Sequence, residues 1–191
     1  KQNIKNVYIH LITDGRDSPP DNAIEQVEKL EKMIVSIGVG EIVSIMGRYY
    51  AMDRDQRWDR TQKAYGCLTK RTTDSVENAK KIIQDSYDSG ITDEFILPKS
   101  VGKNNDNTRI KAGDAVIFYN FRTDRPRQLT QVFLEHPLPN LKFVTMTRYR
   151  TDFTNPTIVS NSSVTGTLGE IISNLGFRQL RMAETEKIAM V

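Results

Sequence analysis

An α/β fold, with a layered sheet flanked by helices, is what this sequence of 191 residues predicts. Two observations lead there. Apolar runs of strand length alternate along the chain with segments whose apolar residues recur every three or four positions. Several of those runs also end in polar loops that carry arginine, and open α/β sheets bind ligands outside the carboxyl ends of their strands.

Taken in order, Val7 to Ile12 is a short apolar run that reads as a buried strand, ending in the polar loop Asp14-Gly15-Arg16-Asp17. Pro19-Pro20 stiffen that loop and forbid immediate helix. Ala23, Ile24, Val27, Leu30, Met33, Ile34 and Ile37 then share one helical face, with Asn22 and Glu25 as a capping pair and Gly38 as the stop. Glu41 to Met46 reads as a second strand running into Gly47-Arg48-Tyr49-Tyr50. Trp58 to Leu68 has helical spacing, and Asp74 to Ser86 is expected to be a helix capped by Asp74, with Glu77 three residues on.

Phe95 to Leu97 is expected to be a short strand closed by Pro98, and Gly102 to Arg109 a solvent-exposed turn. Ala115 to Phe121 is a β-prone run ending in Arg122-Thr123-Asp124-Arg125. Pro126 suits a first helical turn, and Leu129, Val132 and Phe133 continue an apolar face. Leu141 to Met146 is a further strand. Asn155 to Ser163 reads as a linker or crossover, Leu168 to Leu175 as helix, and Gln179 to Ala183 as strand.

Composition narrows the class. With 38% hydrophobic and 27% charged residues the chain is an ordinary globular protein, and a net charge of +3 is too small to argue for nucleic acid. Its basic residues sit in short loops interleaved with acids rather than in a continuous stripe, which also argues against that partner. No apolar stretch approaches the length of a membrane span. Cys67 is the single cysteine, so an intramolecular disulfide is excluded and a reducing compartment is expected. It reads as a core residue of a helix. His10 reads as a strand residue with a satisfied hydrogen bond, and neither it nor His136 has metal-ligand spacing. Lys1 opens in polar sequence without an initiator Met, and Val191 falls where an apolar run begins, so both ends read as cuts through a longer protein.

The arginines at the strand ends carry the chemistry. A guanidinium donates paired hydrogen bonds to carboxylate or phosphate and stays charged at physiological pH. A phosphomonoester bears roughly −1.5 to −2 charge, so a phosphorylated acid with about three negative charges suits a cluster of them. Any one arginine can equally be a solvated surface residue. Arg57 and Arg60 are expected simply to pair with neighbours such as Asp53 and Asp55, and Asp14 can be a turn residue.

The run Gly47-Arg48-Tyr49-Tyr50-Ala51-Met52-Asp53-Arg54-Asp55-Gln56-Arg57-Trp58-Asp59-Arg60 resembles the signature of the cofactor-independent phosphoglycerate mutases. Asp14-Gly15-Arg16-Asp17, Tyr119-Asn120-Phe121-Arg122-Thr123-Asp124-Arg125 and Ala183-Glu184-Thr185-Glu186-Lys187 resemble three more motifs of that family, in the same order. The resemblance implies two α/β domains, one inserted in the other. Residues 1–160 match the inserted substrate-binding phosphotransferase domain, and residues 161–191 match the start of an alkaline-phosphatase-like metal domain.

It implies interconversion of 3-phosphoglycerate and 2-phosphoglycerate through a phosphoserine intermediate, in a monomeric, cytoplasmic, glycolytic parent. Arg16, Asp17, Arg48, Arg54, Arg122, Arg125 and Lys187 match substrate-binding residues. Asp17, for the hydroxyl proton, and Lys187, for the phosphoryl group, are the catalytic candidates. After Lys187 the chain runs Ile188-Ala189-Met190, where the family usually has an aromatic residue and then a histidine.

Two divalent metals, usually manganese, are implied for the parent. Their ligands and the nucleophilic serine lie mostly outside this segment, so no residue of this chain is expected to bind a metal. The expected partners are 2- or 3-phosphoglycerate and the remainder of the phosphatase-like domain, with neither nucleic acid nor membrane. The chain alone is expected to bind substrate without turning it over. The alternative is a stand-alone module that binds phosphorylated acids without catalysis.

Overall fold

The computed structural model describes residues 4–70, 75–102, 108–160 and 164–183. Strand β1 (Tyr8–Thr13) leads into helix α1 (Ala23–Ile37), then strand β2 (Glu41–Gly47), the short helix α2 (Arg48–Ala51) and α3 (Trp58–Thr69). Strand β3 (Ser75–Val76), helix α4 (Ala79–Asp88), a 3-10 turn over Asp93–Phe95 and strand β4 (Lys99–Val101) follow. The second half holds β5 (Ala115–Phe118), α5 (Arg127–Glu135), β6 (Lys142–Thr145) and α6 (Leu168–Asn174).

The fold is mixed α/β, as expected, built on two small sheets flanked by helices. One has the strand order β1-β2-β4-β3, with β1 parallel to β2, β4 antiparallel to β2, and β3 parallel to β4. The other pairs β5 with β6 in parallel. Parallel pairing of β1 with β2 puts both of their carboxyl ends, and the loops that follow, at one edge of the sheet. Among the described residues no helix is long and apolar enough to cross a membrane.

Apolar packing lies in two clusters. Helices α1 and α4 cover one side with Ala23, Val27, Ile82 and Ile83 against Ile42 and Ile45. Helices α3 and α5 pack Ala64, Tyr65, Leu68, Leu129, Val132 and Phe133 against Met46 and Phe143. Each fully buried aliphatic side chain stabilises the fold by about 2 kcal/mol. Strict alternation would send Ile42 and Ile45 to opposite faces. A register shift between Ile9 and His10 inserts one extra residue, Val43, into β2, and so brings both isoleucines into one cluster.

Several expectations are corrected. Phe95 to Leu97 is not a strand: the 3-10 turn ends at Phe95, Ile96 is fully buried against α1 and α4, and the strand begins after Pro98. Asn78, not Asp74, caps α4, its side chain accepting from the Lys81 N–H at 2.9 Å; Asp74 lies outside the described residues. Asn22 makes no side-chain cap. The Asp93 carboxylate takes the Asn22 and Ala23 N–H groups instead, at 3.0 and 2.9 Å.

Residues 103–107 lie outside the described set, but Arg109, expected in an exposed turn, is buried and donates to the Cys67 carbonyl and Ser100 Oγ, both at 3.2 Å. Strand β5 ends at Phe118, three residues early. Asn155 to Val159 does not hang as a linker. Asn155 is buried and donates to Thr145 Oγ1, while Ile158 N–H donates to the Thr145 carbonyl, which zips the segment along β6. Gln179 to Ala183 forms no strand.

Candidate functional site

Three strand ends build the site. At the end of β1, Thr13 Oγ1 donates to the Asp93 carbonyl at 2.6 Å, tying the loop 14–18 beneath the 3-10 turn. Gly15 there has φ 65°, and a Cβ would lie 2.6 Å from Glu94 N and 2.8 Å from Asp93 Cβ. Only glycine satisfies both constraints. Asp14 Oδ1 accepts from the N–H groups of Arg16 and Asp17, at 3.3 and 3.2 Å, which closes the loop as an Asx turn and fixes both side chains' roots.

At the end of β2, Gly47 N–H donates to the Ile96 carbonyl at 2.7 Å. A Cβ on Gly47 would lie 2.2 Å from the Glu94 carbonyl oxygen. Arg48 follows at once as the first residue of α2. Its side chain is only 3% exposed, yet Nη1 bonds both Asp14 Oδ1 and Asp17 Oδ2, the latter at 2.8 Å. The next loop is organised by buried Asp53, whose Oδ2 accepts from the N–H groups of Asp55 and Arg57 at 3.1 and 2.9 Å. That loop presents Arg54, whose Nη1 donates to Asp124 Oδ2 at 2.7 Å.

Beyond β5, Asn120 Oδ1 accepts from the Arg122 N–H at 2.9 Å. The Arg122 guanidinium grips Asp124 with Nε and Nη2, at 3.2 and 3.3 Å, and reaches Asp17 with Nη1 at 3.4 Å. Arg125 Nη1 donates to the Met52 carbonyl at 3.3 Å. Arg16 extends to Glu94, at 3.3 Å. Arg16, Asp17, Arg48, Arg54, Arg122 and Arg125 are thus brought together, and Lys187 lies outside the described residues. Arg57 and Arg60 behave as expected of neighbours, pairing with Asp55 and Asp53, and Arg60 also stacks on Tyr49 at 3.6 Å.

Electrostatics follow from this geometry. Burial pushes the Asp14 carboxyl up, but the Arg48 hydrogen bond, the loop N–H groups and the Arg48 charge bring it below the ordinary value. Asp17 is lowered by its hydrogen bond to Arg48 and then by that residue's charge. Asp124 is raised by burial and lowered further by Arg122 and Arg54, settling at about 2. Burial, then the charges of Arg54, Arg48 and Arg16, depress Arg125. Guanidinium groups here outnumber the carboxylates that pair with them. Arg48 Nε and Arg125 Nε are moreover buried without a hydrogen-bond partner among the described residues. Chemically, the arrangement suits a small polyanion.

The sequence singles out the arginines and, of the acids that hold them, Asp17. The long-range bonds of Asp93 to the start of α1 and of Asp124 to Arg54 leave no trace in local spacing, because those partners lie about seventy residues away. A cleft of about 400 Å³ opens on the other side of Asp14, between Leu11, Val27 and Leu30. It is lined by no arginine and is not the site of this chemistry.

The fold and the site define an α/β protein whose strand-end loops gather guanidinium groups about a few carboxylates. The model of the BPG-independent PGAM N-terminus matches residues 1–151, and the chain belongs to that family. It is 45% identical to the 2,3-bisphosphoglycerate-independent phosphoglycerate mutase of Salinibacter ruber, over 97% of this chain and 38% of that protein. It is 44% identical to the enzyme of the same name from Clostridium beijerinckii, over 100% of this chain and 39% of that protein. The chain therefore spans less than two fifths of these relatives' length. Among solved structures, Leishmania mexicana phosphoglycerate mutase at low cobalt concentration superposes with a TM-score of 0.77 and 25% identity, over 90% of this chain and 35% of that one.

Proposed function

We propose that this chain is the substrate-binding part of a cofactor-independent phosphoglycerate mutase, a glycolytic isomerase that interconverts 3-phosphoglycerate and 2-phosphoglycerate through a phosphoserine intermediate. Family membership supports the reading at the level of enzyme class. The observation that carries the assignment of the substrate site is the convergence of Arg16, Arg48, Arg54, Arg122 and Arg125 from three strand ends. Asp17, joined to Arg48 and Arg122, occupies the guanidinium donors that a substrate carboxylate or phosphate would take.

Within this reading the roles divide by accessibility. Asp14 is locked in the loop and the Arg48 pair. Asp17 is more than half exposed and ionised, so it can take the substrate hydroxyl proton. Its pairing with Arg48 makes it the weaker base until substrate draws that guanidinium away. Lys187 would reach the phosphoryl group. Residues 1–160 form the substrate-binding domain, and 161–191 begin the phosphatase-like one. Supporting that boundary, the hydrogen bonds of Gly166, Glu170 and Gln179 stay within their own segment, and Leu168, Leu175, Phe177, Leu180 and Met182 face solvent.

The parent is a monomeric cytoplasmic enzyme with two divalent metals, manganese by the resemblance. Among the described residues no group of three or more His, Cys, Asp or Glu could hold such an ion, and the neighbours Asp14 and Asp17 share the Arg48 guanidinium. The described residues do not fit a metal.

Calorimetric titration with 3-phosphoglycerate at low salt tests the reading. The expected result is saturable binding that weakens as salt is added, with no mutase turnover by the chain alone. Absence of binding at low salt overturns the assignment of the site.

A further inference from the structure

Arg54 and Arg122 come from loops about seventy residues apart in sequence and meet on one carboxylate. Asp124 Oδ2 takes Arg54 Nη1 at 2.7 Å and Arg122 Nη2 at 3.3 Å, while Oδ1 takes Arg122 Nε at 3.2 Å. The Arg125 backbone N–H bonds the same carboxylate. Asp124 is 3% exposed, whereas Arg122 is half exposed and Arg54 one-fifth exposed. Both oxygens of the acid are thus taken by the protein, while the two guanidiniums it holds remain reachable.

Without a charge between them, two guanidiniums this close repel and would splay apart. The second buried acid of the region, Asp53, differs in kind: its bonds to Asp55, Arg57 and Arg60 close one local stretch of chain. Asp124 instead fixes the distance between two separate loops. A bidentate grip on Arg122 sets the plane of that guanidinium as well as its position.

We infer that Asp124 is a positioning residue of the proposed substrate site, holding Arg54 and Arg122 in the one arrangement in which both face the same anion. This rests on the reading of the site as a phosphoglycerate site. It assigns Asp124 no contact with the substrate: its effect on binding passes through the two arginines.

The test uses the 191-residue chain with 3-phosphoglycerate as probe. Asp124→Asn should weaken binding at least tenfold. Arg54→Ala should weaken binding at least tenfold in the wild-type background but less than twofold in the Asp124→Asn background, because the arginine is already misplaced there. Asp124→Glu keeps the charge but shifts the carboxylate by one methylene, and should fall between wild type and Asp124→Asn. It also serves if the Asn variant does not fold. Wild-type affinity in a folded Asn or Glu variant, or an undiminished Arg54→Ala effect in the Asn background, overturns the inference.

Guanidinium N–H exchange by NMR separates this from the functional reading, since it needs no ligand. Loss of Arg54 Nη–H and Arg122 Nε–H protection in Asp124→Asn, with backbone amide protection retained, supports the positioning role even if wild type binds no phosphoglycerate. Retained protection counts against it.

Discussion

His10 Nδ1 lies 2.7 Å from Ser44 Oγ across the β1–β2 pair, and burial, aided by the Arg109 charge, lowers its pKa from 6.5 to about 4. The folded protein thus holds this imidazole neutral where the unfolded chain would protonate it. Stability from this source is complete above pH 6.5 and is lost as pH falls toward 4, by up to about 3 kcal/mol. Urea unfolding of wild type and His10→Gln at pH 7 and pH 4.5 should show the wild type losing about 2 kcal/mol more than the variant across that interval. A constant difference between the two would mean that His10 takes up a proton without leaving its place. The expectation of a satisfied strand histidine was legible in the sequence, since β1 is a plain apolar run. The long-range contacts of two acids were not. Asp93 caps α1 and Asp124 holds Arg54 from far along the chain, and local spacing records nothing of those two contacts.

At the level of elements, the turn at 93–96 governs two of the three site loops. It accepts from Thr13 and Gly47, its Asp93 carboxylate caps α1, and its backbone presses against Gly15 and Gly47. Gly47 has an ordinary φ of −72°, so its glycine is required by space alone. Gly47→Ala should cost about 2 kcal/mol or more, because the atoms in the way are backbone and cannot rotate aside. Gly66 inside α3 has nothing within 4 Å of a Cβ, so Gly66→Ala should stabilise by about 0.5 kcal/mol or more. Thermal or urea unfolding checks both, and equal effects at the two positions would contradict the packing argument.

Regular elements with long apolar periodicity, such as α1 and α3, were legible to within a residue or two. Phe95 to Leu97 misled because three β-prone residues serve as a turn and a core plug, while Lys99 and Ser100 in the true strand look polar. Asn78 was missed because Asp74 and Glu77 offer the same capping pattern four residues earlier.

Across the whole molecule, the parallel β1–β2 pair and strand β5 deliver their following loops to a common place, and α3 and α5 pack together against Met46 and Phe143. That convergence was expected from the strand-end pattern but not demonstrable from spacing, because adjacency of separate loops is a property of topology. In the proposed reading five arginines from three loops bind one anion together. Guanidinium Nε–H spectra of the chain titrated with 3-phosphoglycerate test it most directly. The expected result is that the resonances of Arg16, Arg48, Arg54, Arg122 and Arg125 move along one binding curve, while those of Arg57, Arg109 and Arg127 stay still. Shifts confined to one loop, or separate curves for separate loops, would contradict a single shared site.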